Sequence, residues 1–243
     1  MLDPRLFILL TAVIFLPLNA HATRTVTSPY VDEGTLKLKL KGGVTHDDER
    51  AARDGAVAAK LGMEYGFKGF SLELEGDIEN AGDDNNTNYN ATSLKLKTQL
   101  TEKGAYWLDV GARLAYEENH TAGPESMELK IILAKDTEKF RHIANFIFDR
   151  EVGNGAVNDM NGGFSWGSRY KCSKAFQPGF EMYNNFGSLS NRPDFQDQDH
   201  SIGPAVYGGF GEGWKYEAAY LAGLTDNAAD DRFKFVIEYS VPF

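Results

Sequence analysis

The sequence predicts a single antiparallel transmembrane β-barrel of about twelve strands, and three patterns predict it. Period-two runs follow one another along the chain, the connections between them alternate between short and long, and the last run ends on an aromatic residue. That run, Phe233 to Phe243, places Phe233, Phe235, Ile237, Tyr239, Val241 and Phe243 on one face and Lys234, Val236, Glu238, Ser240 and Pro242 on the other, because successive side chains of a strand point to opposite sides. A barrel in a bilayer turns such an apolar face to lipid.

The chain opens with an export pattern. Arg5 lies in a short n-region, Leu6 to Leu18 is apolar, and Ala20-His21-Ala22 supplies the small residues of a cleavage site after Ala22. The apolar run is shorter than the roughly 20 residues of a spanning helix, which disfavours an uncleaved anchor. The expected organisation is a signal peptide over 1–22, a periplasmic N-terminal segment over 23–34 and the barrel over 35–243. No other long apolar stretch follows and mean hydropathy is negative. A barrel with alternating faces has that same average.

Taken in order, the predicted strands are Thr35 to Val44, Val57 to Phe67, Phe70 to Glu79, Asn90 to Leu100, Tyr106 to Tyr116, Ser126 to Lys135, Phe140 to Arg150, Gly163 to Cys172, Gly179 to Gly187, Ile202 to Phe210, Trp214 to Leu224 and Phe233 to Phe243. Each is bounded by turn residues, and most approach the roughly 9 to 11 residues of a tilted membrane strand. Lys68-Gly69, Glu102-Lys103-Gly104 and Gly211-Glu212-Gly213 are short connections, whereas His46 to Asp54, Asn80 to Tyr89 and Ser188 to His200 are long and polar. Short periplasmic turns, long outer loops and an even strand number are the habit of outer-membrane barrels. Aromatics gather by the short turns, among them Phe67, Phe70, Tyr106, Trp107, Phe140, Phe176, Phe210, Trp214 and Phe243. They fit an interfacial girdle; the competing reading is an ordinary soluble core.

The inward faces carry both signs of charge. Strand one gives Lys37, Lys39 and Lys41; strand two Lys60 and Glu64; strand three Glu73, Glu75 and Asp77; strand four Lys95 and Lys97. Asp109, Arg113, Glu128, Lys130, Arg141, Arg169, Lys171, Glu217, Lys234 and Glu238 extend the wall. The Lys68-Gly69 hairpin sets Lys60 opposite Asp77 and Glu64 opposite Glu73, and a symmetric pairing onward sets Glu75 opposite Lys95 and Glu73 opposite Lys97. Two readings of the wall stand side by side. One is a narrow pore whose charges orient small polar solutes; the other is a lumen filled by its own ion pairs, since about twelve strands lie between a filled barrel and an open channel.

The formal net charge of −10 argues against nucleic acid as a partner. The excess acid lies in loops: Asp47-Asp48-Glu49, Asp83-Asp84, Glu117-Glu118, Asp194, Asp197, Asp199 and Asp230-Asp231. Solvated loops explain these residues, as does recruitment of divalent ions, either at lipopolysaccharide or to serve a cation pathway, but no calcium-loop spacing is present. No cofactor motif occurs, the methionines and histidines make no metal-binding tract, and the single Cys172 reads as a small hydrophobe. His46, His120 and His200 fall in loops and His142 on a strand, and no serine has a nucleophile motif, so catalysis is not expected.

The stretches Ser28-Pro-Tyr-Val-Asp-Glu-Gly-Thr-Leu-Lys-Leu-Lys and Ser168-Arg-Tyr-Lys-Cys-Ser-Lys-Ala-Phe-Gln-Pro-Gly-Phe-Glu resemble the barrels grouped near the MetA-pathway phenol-degradation family. The resemblance implies an outer-membrane location and solute passage, and carries over no catalytic residue. Phe243 is similar to the terminal aromatic read by the barrel assembly machinery. Expected partners are outer-membrane lipid and lipopolysaccharide, that machinery, and small polar solutes. The expectation is a porin-like channel, with a structural or adhesin-like barrel as the alternative and an outer-membrane lipid hydrolase last.

Overall fold

The computed structural model describes residues 24–80, 87–121 and 123–243; the expected signal peptide and its cleavage site at Ala22 lie outside the described residues. Twelve strands form one closed antiparallel barrel. They are β1 (Thr35–His46), β2 (Val57–Gly66), β3 (Phe70–Asn80), β4 (Asn88–Gln99), β5 (Asp109–Asn119), β6 (Glu125–Asp136), β7 (Phe140–Val152), β8 (Asn161–Tyr170), β9 (Gln177–Ser188), β10 (Asp199–Phe210), β11 (Trp214–Gly223) and β12 (Asp231–Pro242). Each pairs with its sequence neighbour, and β1 closes on β12 with Leu36 opposite Val241 and Lys39 opposite Glu238. Closure leaves no free strand edge, which a bilayer requires because its core offers no water to unpaired main-chain groups.

The two faces invert the soluble pattern. Outward side chains such as Leu74, Leu94 and Tyr220 are about half exposed, while Lys37, Glu64, Glu75, Lys130 and Lys234 are buried inside. Alternation alone sorts them, so the greasy face of β12 seen in the sequence is one twelfth of a continuous outer apolar surface. Aromatic pairs cluster at the short-turn end: Phe67 stacks on Phe70 with ring centroids 4.8 Å apart, Phe210 on Trp214 at 5.7 Å, and Phe140 tilts against Tyr170 at 5.2 Å.

Three expectations about the strands and their turns are corrected first. The fifth strand starts at Asp109, not Tyr106: Tyr106 and Trp107 sit in a connection over 100–108, whose exposed Trp107 is gripped by Lys135, and the alternation of loop lengths breaks there. Its hydrogen bonds, from the main-chain nitrogen of Gly104 to Asp109 and of Val110 to Thr101, are turn chemistry that period-two reading misses. Across β3 and β4, Glu73 lies opposite Lys95 and Glu75 opposite Ser93, two residues from the symmetric register: the long connection closes asymmetrically, and an irregularity between Asp77 and Ile78 shifts the pairing by one residue more. Cys172 is exposed at the β8–β9 turn, donating to the Phe176 carbonyl, rather than packed as a small hydrophobe.

The segment before β1, expected to hang on the periplasmic side, instead runs inside the wall. From Gly34, whose main-chain nitrogen bonds Gly66 at the short-turn end, the chain rises through Tyr30 beside Asp109 and Thr27 beside Asn145 to Arg24, which pairs with Asp199 near the long-loop end. Polar lumen residues satisfy this segment's main chain, which β-strand reading of an irregular stretch cannot foresee.

Candidate functional site

The inward arm, residues 24–33, divides the lumen into two chambers of about 530 and 390 Å³ that share Thr25, Lys41, Lys95 and Arg113 at their waist. The larger lies toward the short-turn end and is lined by ten basic side chains against five carboxylates, the smaller by six against five. The larger chamber thus carries positive excess although the chain as a whole has a net charge of −10.

One half of the wall is a checkerboard built by alternation on β1 to β6. Lys39 bridges Glu64 and Glu73, the latter at 2.6 Å; Lys41 and Lys95 both hold Glu75, and Lys95 also reaches Glu73 at 3.7 Å. Lys97 pairs with Glu64 at 2.9 Å, where Ser71 also donates at 2.6 Å. Lys60 pairs with Asp77 across β2 and β3, as the hairpin register requires. Glu64 and Glu73 face one another as like charges, which costs about as much as an opposite pair contributes, roughly 0.2 to 1 kcal/mol; Lys39 and Lys97 offset that repulsion. Further round, Arg113 and Lys130 converge on Glu128, at 2.5 and 3.7 Å.

The opposite half is denser. Lys234 of β12 lies between Glu181, at 2.6 Å, and Glu217, while the hydroxyls of Tyr183 and Tyr207 donate to Glu181 at 2.8 and 2.6 Å. Glu238 takes Lys215 at 3.0 Å. At the short-turn rim, Arg141 and Lys171 share Asp136, and Asp109 accepts from Tyr30 at 2.6 Å. Arg169 stands over the Tyr207 ring at 5.1 Å, its buried Nε without a hydrogen-bond partner. Lys37 reaches Asp32 of the arm at 2.7 Å. Of the twenty residues named from sequence, nineteen sit at inward register positions of the strands, and Lys171 falls just beyond the end of β8, where it pairs with Asp136.

The arm completes the site. Asn145 holds Thr27 twice, accepting from its main-chain nitrogen at 2.7 Å and donating to its carbonyl at 2.9 Å. Asp199 fixes Arg24 while taking both guanidinium nitrogens of Arg232 at 3.0 Å. Lys103 and Arg141 lie over the Tyr30 ring, at 4.8 and 5.6 Å. Sequence reading missed Arg24, Tyr30, Tyr207, Asp136, Asp199 and Arg232 as lumen groups. Asp199 read as loop acid, yet it opens β10 pointing inward.

The loop carboxylates have local work. Asp47, buried, accepts from the main chain of Glu49 and Arg50, Asp230 from the main chain of Asp48. The bond from His46, above all, holds exposed Asp54 below the ordinary carboxylate range. Ser168 and His142 meet at 2.9 Å on the outward face of β7 and β8. His142 stacks beside Phe140, and its second ring nitrogen has no hydrogen-bond partner among the described residues, so the orienting group of a triad is missing there.

No family model matches the sequence, so the resemblance to the phenol-degradation group gains no support, and no curated protein matches it. Among solved structures the barrel is similar to a NanC porin, at 10% identity and TM-score 0.59 over 83% of this chain and 98% of that one. It is also similar to a KdgM porin, at 10% identity and TM-score 0.55 over 84% and 99%. A KdgM porin in complex with disordered oligogalacturonate gives 10% identity and TM-score 0.56 over 85% and 99%. At such identity the likeness concerns architecture, and in architecture the chain is a closed twelve-stranded barrel of the kind these outer-membrane porins have.

Proposed function

We propose that the protein is an outer-membrane channel passing small polar solutes, with preference for anions, its short turns in the periplasm and its long loops outside. The observation that carries this reading is the positive excess of the larger chamber, ten basic groups against five acidic, inside an otherwise acidic chain. Rings of fixed charge select by sign, and at low dielectric their field acts over the whole narrow lumen. A KdgM porin of the same architecture was solved with oligogalacturonate, a chain bearing one carboxylate per sugar. That complex supports an acidic solute here.

A second reading, a structural barrel with a filled lumen and partner-binding acidic loops, draws on the arm that crosses the lumen. Planar bilayers separate the two. The channel reading expects discrete conductance steps and, under a salt gradient, a reversal potential of anionic sign. Silence from both the full chain and a form lacking residues 24–31 would defeat it in favour of the structural barrel.

A further inference from the structure

Residues 24–33 occupy the path a solute must take, and their attachment differs in kind from that of the wall. Each strand is joined to its neighbours by a main-chain ladder. Among the described residues, the arm's main chain meets the wall through side chains instead: Thr27 through Asn145, Val31 through Gln99, and the Arg24 carbonyl through Lys234 and Tyr183. The first main-chain bond to the wall comes at Gly34, to Gly66 at 2.8 Å. Gly34 has φ +67°, a conformation open to glycine, and so marks a natural pivot.

The wall is relieved beneath the arm. A β-carbon on Gly111 would lie 2.8 Å from that of Pro29, and one on Gly167 would touch both methyls of Val26 at 3.4 Å. Among the described residues the arm's apolar contacts include Val26, beside the cluster around Tyr207, buried Pro29, and Val31 close to Gly66. Removing the arm breaks no ladder bond, so the closed barrel stays intact when it leaves.

We propose that residues 24–33 form a hinged strap, pivoting at Gly34, whose seated position closes the waist at Thr25 and whose departure joins the two chambers into one path. The proposal rests on the channel reading. It assigns Asn145, Asp109 and Asp199 as latches, since each holds an arm residue by polar contacts that water or a charged solute can replace.

Single-channel recording tests it on four proteins: the full chain, a form lacking residues 24–31, Asn145→Leu, and Val26→Cys/Gly167→Cys in a Cys172→Ser background. The expected result is a small or closed level in the full chain interrupted by large openings, permanent large openings without the arm, and more frequent ones in Asn145→Leu. The cysteine pair should lose the large openings when oxidised and regain them on reduction, within one folded protein. Identical conductance in the full chain, the arm-less form and the oxidised pair overturns the strap and leaves the channel standing. Silence from every form, with heat-modifiable gel mobility proving folded barrels, overturns both.

Discussion

Arg169 of β8 stands directly across the strand pair from Arg141 of β7, so two guanidinium groups face the same chamber. Arg141 has the carboxylate of Asp136, whereas Arg169 has the face of Tyr207 and a buried, unbonded Nε. Like charges directly opposite destabilise a sheet. A barrel that keeps them maintains positive potential in the larger chamber. Arg169→Ala should lower the anion-to-cation permeability ratio and Arg169→Glu should lower it further, both read from the reversal potential under a salt gradient. An unchanged ratio in the glutamate variant removes Arg169 from the selectivity argument.

Glu181 and Lys234 make the most deeply buried ion pair of the wall, with side-chain exposures of 0% and 2%. Glu181→Ala leaves Lys234 with Glu217 as its one paired carboxylate, takes the nearer acceptor from the Tyr183 hydroxyl and strips the Tyr207 hydroxyl of its acceptor. Breaking one side of such a pair costs about 3 kcal/mol or more. By contrast Glu238→Ala gives up its contact with exposed Lys215, worth about 1 kcal/mol or less. Urea titration of heat-modifiable gel mobility should rank the two in that order, and equal losses would contradict the burial argument.

Much of the barrel was legible because alternation is a two-state code: once a residue is assigned a face, every second residue follows, and Lys60 opposite Asp77 came directly from the hairpin. Register across long connections was not legible, as Glu73 opposite Lys95 illustrates, since symmetric closure is only the simplest guess and a one-residue irregularity is invisible in composition. Turn residues that look strand-like, Tyr106 and Trp107, deceived for a related reason: aromatic content favours strands and interfaces alike. The arm left no periodic trace at all. Its place is fixed by partners distant in sequence, Asn145 for Thr27 and Asp199 for Arg24, and such pairings exist only after the barrel closes.

Phe243 offers its main-chain nitrogen to the Gly34 carbonyl at 2.7 Å, yet the residue is 81% exposed. The ring therefore contributes little to packing, and Phe243→Ala should leave the stability of the finished barrel nearly unchanged. If the aromatic end serves assembly, the same variant should lose most of its yield in the outer-membrane fraction while refolding normally in detergent micelles. Equal yields in cells would remove Phe243 as an assembly signal.

Gly66 closes the short-turn end beneath the arm. A β-carbon there would lie 2.0 Å from the Asp32 carbonyl oxygen, and a main-chain atom cannot rotate away as a side chain can. Gly66→Ala must therefore move the arm's base, loosening Lys37 from Asp32 and Tyr30 from Asp109, at a cost of about 1 to 3 kcal/mol. Gly69→Ala is the control: its φ of +80° strains alanine by roughly 1 to 2 kcal/mol, yet a β-carbon there meets nothing within 4 Å and lies away from the arm. Limited trypsin digestion of folded barrels should cut at Arg24 faster in Gly66→Ala than in Gly69→Ala or the parent chain, because only the first variant unseats the arm. Equal cutting in all three would mean that the arm's seat does not depend on this close approach.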